Sequence, residues 1–383
     1  MRILLLGEYN SSHYTLKEGL EALNHEVLVV GLGDGFKNRI VDINIKRYYS
    51  IGLASLIKNI IYRLTSIDLT ALQTKRQFNI HKNKFKNFDI VQLVNESSFS
   101  AGPKIETQLL SFIFKHNTNI FLLSCGTDYI SVKYAYLKKF RYSILTPFFE
   151  KRVSEKDFRF VLMYIKRPYI NLHKFIFKNI KGVIASDLDY HIPLKGKEKY
   201  LGMVPNPINI NKFEKNSLNL DDKIIIFHGI NRLNYLKKGN NIFEDALGIV
   251  NKKYENRIKI ITVENLPYHE YITKFDEAHI LLDQVYAYDQ GFNALEAMAK
   301  GKVVFTGAEK EWLDYYNLKE DTIAINALPN ANEIAKKLEW LILNPEEITK
   351  ISNNARAFIE KEHNHIKCAQ MYLDKWLSQI KPL

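Results

Sequence analysis

The feature of this sequence that most constrains its fold is an alternation of short apolar runs with amphipathic stretches. The runs are rich in β-branched residues and are bounded by Gly, Asn or Asp, which is typical of buried strands. In the first half they are Ile3–Leu6, Val27–Val30, Ile90–Val94, Ile120–Ser124 and Val183–Ala185. The stretches between them, such as Tyr14–Leu23 and Ile105–Lys115, have apolar residues at helical spacing. Strands that alternate with helices predict parallel βαβ units.

Two prolines interrupt this alternation in the segment Val204-Pro205-Asn206-Pro207-Ile208-Asn209. Because proline disrupts both helices and central strands, the segment predicts an interdomain linker. Beyond it the alternation restarts, with strands predicted at Lys223–Phe227, Ile258–Val263, Ile280–Leu282 and Val303–Thr306. We therefore predict an α/β chain of two doubly wound domains, residues 1–204 and 205–365, with a terminal helix (366–383) that crosses back to the first domain. Ligands of such sheets bind at the carboxyl ends of the strands, which would face the cleft between the domains.

Length and composition exclude several classes of protein and of site. A chain of 383 residues exceeds one ordinary core, and its two cysteines exclude a disulfide framework. His363, His365 and Cys368 lie close together, but their spacing matches no zinc pattern, so we expect no metal site. The apolar start of the chain is too short for a signal peptide and is followed at once by Glu8. We expect a cytoplasmic protein without a membrane-spanning helix.

The net positive charge lies entirely in the first half. Residues 1–200 contain 31 Lys and Arg against 17 Asp and Glu, whereas the remainder contains 23 against 25. Basic and aromatic residues are interleaved between Lys138 and Lys199. This pattern favours an anionic membrane surface as a partner. A solvated lysine-rich face is the main alternative, and we expect no nucleic-acid partner.

A first cluster of candidate site residues follows the first predicted strand of the second half. Arg232 offers a planar guanidinium to phosphate oxygens, and Lys238, six residues later, adds a compact charge. Gly229 and Gly239 would let the backbone approach a ligand closely. The cluster predicts a phosphate site, and the alternative is a solvated turn rich in Lys and Asn.

A second cluster runs from Asp289 to Val304. Gly291 opens a predicted helix whose first residues, Phe292, Asn293 and Ala294, would present backbone N–H groups to an anion. Glu296 follows on a helix that is otherwise small and apolar, where a carboxylate can accept both hydroxyls of a ribose. The alternative is a partly buried glutamate paired with a lysine.

In this order, the two clusters resemble the signature of retaining GT-B glycosyltransferases of family 4. That family has an Arg and a Lys-Gly six residues apart, followed by a Glu-x7-Glu motif that ends in Glu-Ala-Met-Ala-x-Gly-Lys, as from Glu296 onward here. The proline linker resembles its Pro-Asn-Gly-Val-Asp segment, and Asn265-Leu266-Pro267 resembles its nucleotide-base loop. The resemblance covers nearly all of residues 200–310. In the first half of the chain it is limited to the topology, that is, to the order of strands and helices. It departs at Tyr288, where the family has its first motif glutamate, and Asp289 is the candidate replacement.

The resemblance also points to residues of the first half. Gly7 and His13 lie in the loop and helix start after the first strand, where family members hold phosphates and acceptor. Asp128 lies in a segment similar to the family's acceptor-facing Gly-(Ser/Thr)-Asp. With Arg232 and Lys238, His13 and Asp128 are the candidate catalytic residues. A helix-capping role is the alternative for both His13 and Asp128.

The resemblance implies an enzyme, a hexosyl- or related glycosyltransferase (EC 2.4), with a UDP or GDP type of nucleotide-sugar donor and retention at the anomeric carbon. It implies no cofactor and, because no Asp-x-Asp motif occurs, no metal. We expect a glycan or lipid-diphosphate-linked acceptor in cell-surface polysaccharide assembly. A lipid-linked acceptor would place the enzyme peripherally on the inner face of the membrane. The alternatives are a GT-B-type epimerase or phosphorylase and a non-catalytic carbohydrate-binding subunit.

Overall fold

The first part of the chain forms a parallel sheet of seven strands. A computed structural model of the protein describes residues 1–33, 41–48, 52–65, 68–215, 218–220 and 222–380. The strands are β1 (Arg2–Leu6), β2 (Glu26–Gly31), β3 (Ile43–Asn44), β4 (Ile90–Val94), β5 (Ile120–Ser124), β6 (Gly182–Ala185) and β7 (Tyr200–Met203). Their order is β3-β2-β1-β4-β5-β6-β7. Strands β4 and β5 are buried at every position, because helices cover both faces of a parallel sheet.

The helices of this part connect successive strands. They are α1 (Ser12–Ala22), α2 (Gly52–Thr65), α3 (Leu69–His81), α4 (Gly102–His116), α5 (Tyr129–Tyr136), α6 (Thr146–Phe149), α7 (Arg159–Leu162), α8 (Arg167–Asn179) and α9 (Leu188–Leu194). Side-chain caps fix several of their starts. Asp68 accepts hydrogen bonds from the backbone of α3, and Asp187 from that of α9.

The second part forms a parallel sheet of five strands with the order β12-β11-β10-β8-β9. The strands are β8 (Ile224–Ile230), β9 (Ile258–Glu264), β10 (Ile280–Leu282), β11 (Val303–Thr306) and β12 (Ile325–Asn326). The helices are α10 (Tyr235–Lys238), α11 (Asn240–Tyr254), α12 (Tyr268–Asp276), α13 (Phe292–Ala299), α14 (Lys310–Tyr316), α15 (Ala331–Leu343), α16 (Pro345–Glu362) and α17 (His365–Leu377). Because β10 lies between β8 and β11, the segments after β8 and β10 are neighbours at one edge.

The chain passes between the two parts twice, and the two crossings lie side by side. Ile208 N donates to His363 O at 2.7 Å, and His365 N donates to Ile208 O at 3.2 Å. His363 Nδ1 donates to Asn206 O at 2.9 Å. His363 and His365 therefore serve this double crossing, and α17 then packs against α1 of the first part.

Two doubly wound α/β domains that face each other constitute the GT-B architecture, so the predicted fold class is confirmed. Within the described parts of the chain, every helix is too short or too polar to span a bilayer.

Candidate active site

The loop after β8 holds Arg232 and Lys238 at the carboxyl edge of the second sheet. Arg232 donates from its backbone N to Asn265 Oδ1 at 3.1 Å and from Nη2 to Glu264 Oε2 at 2.5 Å. Its guanidinium lies 4.7 Å from the centre of the Tyr235 ring. The Arg232 side chain is 49% exposed, so an anion in solvent can reach it.

Lys238 is held by a carboxylate that the sequence analysis did not single out. Asp283 directly follows β10, and its side chain is only 1% exposed. Asp283 Oδ1 accepts from Lys238 Nζ at 2.9 Å and from Asn293 Nδ2 at 3.2 Å. Thr306 Oγ1 donates to Oδ2 at 3.4 Å. Because a lysine ammonium has three donors, the bond to Asp283 orients Lys238 and leaves donors for phosphate oxygens.

The same network continues to the predicted nucleotide-base loop. Tyr271 of α12 donates from its hydroxyl to Asn293 Oδ1 at 3.1 Å. A Cβ on Gly229 would lie 2.7 Å from Cε2 of Tyr271, so a larger residue at this position of β8 would displace the Tyr271 ring. Asn265 has φ 49°, and its backbone N donates to Ile230 O at 3.0 Å, which joins the base loop to the end of β8. Leu266 follows, half-buried.

Helix α13 begins at this edge. Gly291 is its N-cap with φ −83°, so extended backbone rather than a glycine-specific conformation opens the helix. Phe292 and Ala294 are buried, and Asn293 belongs to the network of Asp283. The first turn of α13 thus lies beside Lys238, where its N–H groups add to the positive potential.

Glu296 lines a cavity of about 170 Å³ between the two domains. Phe292 and Glu296 of α13 and Lys300 directly after it supply one wall, and Tyr268 and Ile272 supply another from α12. The opposite side consists of α1, the linker and the turn after the linker, with Tyr14, Thr15, Glu18, Ile208, Asn209, Lys212 and Phe213. The cavity therefore combines apolar side chains with the carboxylates of Glu18 and Glu296 and the lysines Lys212 and Lys300, and such a mixture of apolar and polar groups is typical of ligand sites.

Asp289 is directed to the other domain rather than to the cavity. Its Oδ2 accepts from Leu188 N at 3.0 Å, and its Oδ1 accepts from Gln290 N at 2.7 Å. In return, Asp189 accepts from Tyr288 N at 3.2 Å. Contact with a donor sugar would require Asp289 to leave these partners. The structure thus favours a domain-joining role over replacement of the missing glutamate.

Three aspartates, Asp187, Asp189 and Asp289, lie at the junction between the two domains. The pKa values of the Asp187, Asp189 and Asp289 carboxyls are all raised, first by burial. The charge of Asp289 raises the pKa of the other two further.

Among the described residues, no group of three or more His, Cys, Asp or Glu could hold a metal ion.

His13, a candidate site residue of the first domain, is enclosed within that domain. His13 is fully buried, donates from Nδ1 to Gly7 O at 2.8 Å, and contacts Gln92 Nε2 through Nε2 at 3.2 Å. Trp376 of α17 donates to Gln92 Oε1 at 3.1 Å and completes this chain of contacts. Burial lowers the pKa of His13 to about 4. His13 therefore positions the turn at Gly7, whose φ is +87°, and does not face the cleft.

Asp128 is the N-cap of α5. Its Oδ1 accepts from Ser131 N at 2.7 Å, and its Oδ2 accepts from the Ser124 hydroxyl. The residue is 2% exposed. Both carboxylate oxygens are occupied, so the structure favours the capping role over a catalytic one.

Part of the basic and aromatic segment docks on the second domain. Arg141 donates from Nη1 to Glu311 Oε1 and from Nη2 to Glu309 Oε2, each at 2.6 Å. Tyr142 donates to the second oxygen of Glu309, and Arg152 donates to the Tyr286 hydroxyl. These side chains hold the domains together at the side of the cleft next to Tyr288.

Residues 233–374 match a protein family described as Glycosyl transferase-like. No curated protein sequence matches the chain. Sucrose-phosphate synthase from Thermosynechococcus elongatus is similar in structure, with TM-score 0.62, 14% identity, and coverage of 99% of this chain and 100% of that one. HepE from Anabaena, solved with UDP and glucose, has TM-score 0.58, 14% identity, and coverage of 99% and 100%.

A Listeria monocytogenes protein, described as a candidate UDP-N-acetylglucosamine 2-epimerase, is similar with TM-score 0.52, 12% identity, and coverage of 97% and 94%. At these identities the structural matches establish the fold, while the family match covers the C-terminal part. The chain thus has the GT-B fold of glycosyltransferases, and its residues 233–374 are glycosyl transferase-like.

Proposed function

We propose that this protein transfers a sugar from a nucleotide-diphosphate sugar to a glycan or lipid-diphosphate-linked acceptor, with retention, in cell-surface polysaccharide assembly. The observation that carries the proposal is the meeting of Lys238 and Asn293 on the buried Asp283, beside the cavity lined by Glu296. This arrangement offers positive charge, a helix start and a carboxylate in a cavity close to one another. The glycosyl transferase-like match over residues 233–374 supports the same assignment.

The diphosphate of the donor would bind between the loop after β8 and the start of α13. Arg232 and Lys238 would stabilise the negative charge that develops on the leaving diphosphate. The ion pair of Arg232 with Glu264 is exposed on both sides, and such pairs contribute little, so a phosphate can displace Glu264 at low cost. Lys238 instead keeps its buried partner while it binds.

The nucleoside would occupy the cavity between α12 and α13. Glu296 would accept hydrogen bonds from the ribose hydroxyls, and the loop of Asn265 and Leu266 would contact the base. Both UDP and GDP donors suit this chemistry, and the UDP bound by the Anabaena protein favours UDP. We expect neither metal nor cofactor, because positive side chains and a helix start can take the part of a cation.

In the proposed reaction, the bond between the anomeric carbon and the leaving phosphate oxygen breaks. The acceptor oxygen attacks from the same side, and its proton passes to the departing phosphate. This route needs no protein nucleophile. His13 and Asp128, both buried and hydrogen-bonded, are consistent with roles in positioning.

A cytoplasmic enzyme with lipid-linked acceptors would work at the inner face of the membrane. The excess of basic residues in residues 1–200 supports such a peripheral location. Electrostatic attraction would add to whatever contact the acceptor itself provides.

An epimerase acting on a nucleotide sugar is the second candidate, because the Listeria protein has the same architecture. It would need an acid and a base beside the sugar, whereas Asp283 and Asp289, two carboxylates at the start of α13, are both hydrogen-bonded to other groups. A non-catalytic carbohydrate-binding subunit is the third, since Tyr288 replaces the first motif glutamate.

A thermal-shift screen with UDP, GDP, ADP and CMP, followed by their sugars, tests the donor assignment, because a ligand that binds the folded protein stabilises it. Slow hydrolysis of the stabilising nucleotide sugar would show that the donor site is catalytically active. Interconversion of the sugar without hydrolysis would favour the epimerase. Stabilisation with neither reaction, even with lipid-linked acceptors present, would favour the non-catalytic subunit.

A further inference from the structure

Helix α2 presents its apolar side to solvent. Leu56, Ile57, Ile60 and Leu64 recur at positions i, i+1, i+4 and i+8, which places them on one helical face. They are 60%, 46%, 56% and 80% exposed, respectively. A helix in a globular domain normally buries such a stripe against the core, so this one fits a partner outside the domain.

Helix α3 contacts α2 and carries a second exposed face, which adds charge. Leu72, Lys75, Arg76, Asn79 and Ile80 line one open hollow. Leu72 and Ile80 are 46% and 69% exposed. The opposite face of α3, with Ala71, Thr74 and Phe78, is buried in the domain. The core therefore anchors α3 and directs its basic and apolar side outward.

The charge of this region selects the partner. Residues 52–86 contain seven Lys or Arg and a single Asp, Asp68. Asp68 caps α3, where it accepts hydrogen bonds from two backbone N–H groups. Two copies of this face would bring like charges together, which disfavours a symmetric dimer. An anionic lipid surface complements the charge and accepts the apolar stripe among its acyl chains.

We propose that α2 and the outward face of α3 form the surface by which this protein docks on an anionic membrane, with Leu56, Ile57, Ile60 and Leu64 inserted at the interface. This deepens the peripheral location in the proposed function by naming its surface. It moves the contact away from the segment 138–199, in which Arg141 and Arg152 bind the second domain and Phe158 and Tyr164 are buried.

Sedimentation with vesicles tests the proposal. The full chain is mixed with phosphatidylcholine vesicles that do or do not contain phosphatidylglycerol, at low and high salt. We expect binding only to the anionic vesicles, weakened by salt, since charges are screened beyond about 10 Å at 0.1 M. The variant Leu56→Gln/Ile60→Gln/Leu64→Gln should bind at least about tenfold more weakly, because insertion scales with buried apolar area.

The matched control is Leu137→Gln/Phe160→Gln, which removes two exposed apolar residues, 54% and 69% exposed, from the segment 138–199 and its edge. Its binding should equal that of the original protein. The variant Lys75→Gln/Arg76→Gln should bind the anionic vesicles more weakly, and its remaining binding should depend less on salt.

Absence of binding at low salt would overturn the proposal, as would loss of binding in the control variant but not in the α2 variant. Dimerisation of the original protein that the α2 variant abolishes would make a second copy the occupant and would overturn it as well. Each variant is also tested for stabilisation by UDP and GDP. An intact nucleotide response with no vesicle binding defeats only the docking surface, whereas vesicle binding without any nucleotide response defeats only the donor assignment.

Discussion

Lys238 donates to the carboxylate of Asp283 at 2.9 Å, and the two side chains are 32% and 1% exposed. A buried carboxylate thus fixes a partly exposed cation that itself faces the predicted phosphate site. Because Asp283 also accepts from Asn293 at the start of α13, one side chain sets the position of two donor-binding elements.

We predict that Asp283→Asn lowers turnover of the nucleotide sugar by about tenfold, because it weakens a charge-assisted hydrogen bond that orients Lys238. The affinity for the free nucleoside should stay unchanged, since the cavity of Glu296 is not altered. Steady-state kinetics and calorimetry measure the two effects. The exposed Asp245→Asn on α11 serves as a control. Full activity in Asp283→Asn would mean that Lys238 needs no such partner.

Arg232→Ala and Lys238→Ala should each lower donor turnover by about 100-fold, because each removes a positive charge from the developing diphosphate. Arg232→Ala should melt close to the temperature of the original protein, since its side chain is 49% exposed. Lys238→Ala should melt at a lower temperature, because it leaves the buried carboxylate of Asp283 without its cation. Kinetic assays beside thermal unfolding separate these effects. Lys252→Ala, an exposed lysine on α11, is the control.

Glu264 provides a second control for Arg232. Glu264→Gln removes the carboxylate that pairs with Arg232 at 2.5 Å. If Arg232 binds phosphate, this change should leave turnover equal or raise it. Original turnover in both alanine variants would argue against the phosphate assignment of the loop.

The loop after β8 illustrates what a sequence can predict. An apolar strand that is followed by Gly229, Arg232 and Lys238 in the sequence identifies the loop from its own residues. The pairing with Asp283 depends on β10 being the neighbour of β8, which follows from the order of the sheet and not from the spacing in the chain. An acidic residue directly after the buried run Ile280–Leu282 was the available signal.

The buried His13 shows a different limit. Its position after β1 predicted either a site or a helix cap. Its contacts depend on Gln92 and, through it, on Trp376, which α17 brings back across the domain boundary. The contact of Asp289 with Leu188 likewise requires both domains to be docked. The fold class is confirmed, whereas the domain boundaries and the roles of the site residues stay predictions.

Glu296→Ala should weaken binding of the nucleoside diphosphate by about tenfold, whatever sugar the donor carries. A carboxylate that accepts two ribose hydroxyls contributes charge-assisted hydrogen bonds, and tenfold corresponds to about 1.4 kcal/mol. Calorimetry with UDP or GDP is the measurement. Glu296→Gln keeps one acceptor oxygen, so its affinity for the nucleoside diphosphate should lie between those of the original protein and Glu296→Ala. A 2′-deoxyribose analogue lacks one of the two hydroxyls, so Glu296→Ala should weaken its binding less than it weakens binding of the ribonucleotide. An equal loss of affinity for both ligands would contradict the ribose contact.

The aspartates of the domain junction should make stability depend on pH. Burial and the charge of Asp289 raise the pKa of Asp189, so the folded protein retains a proton that the unfolded chain, with a carboxyl pKa of about 4, releases. Folding therefore loses stability as pH rises from about 4 through the raised pKa, and the full penalty is present above it. Asp189→Asn keeps an oxygen that can accept from Tyr288 N but carries no charge. We expect this variant to melt higher than the original protein at pH 8 and to show a shallower decline between pH 5 and pH 8 in thermal unfolding. The exposed Asp245→Asn should leave the decline unchanged. A lower melting temperature for Asp189→Asn at pH 8 would mean that the ionised carboxylate strengthens the junction.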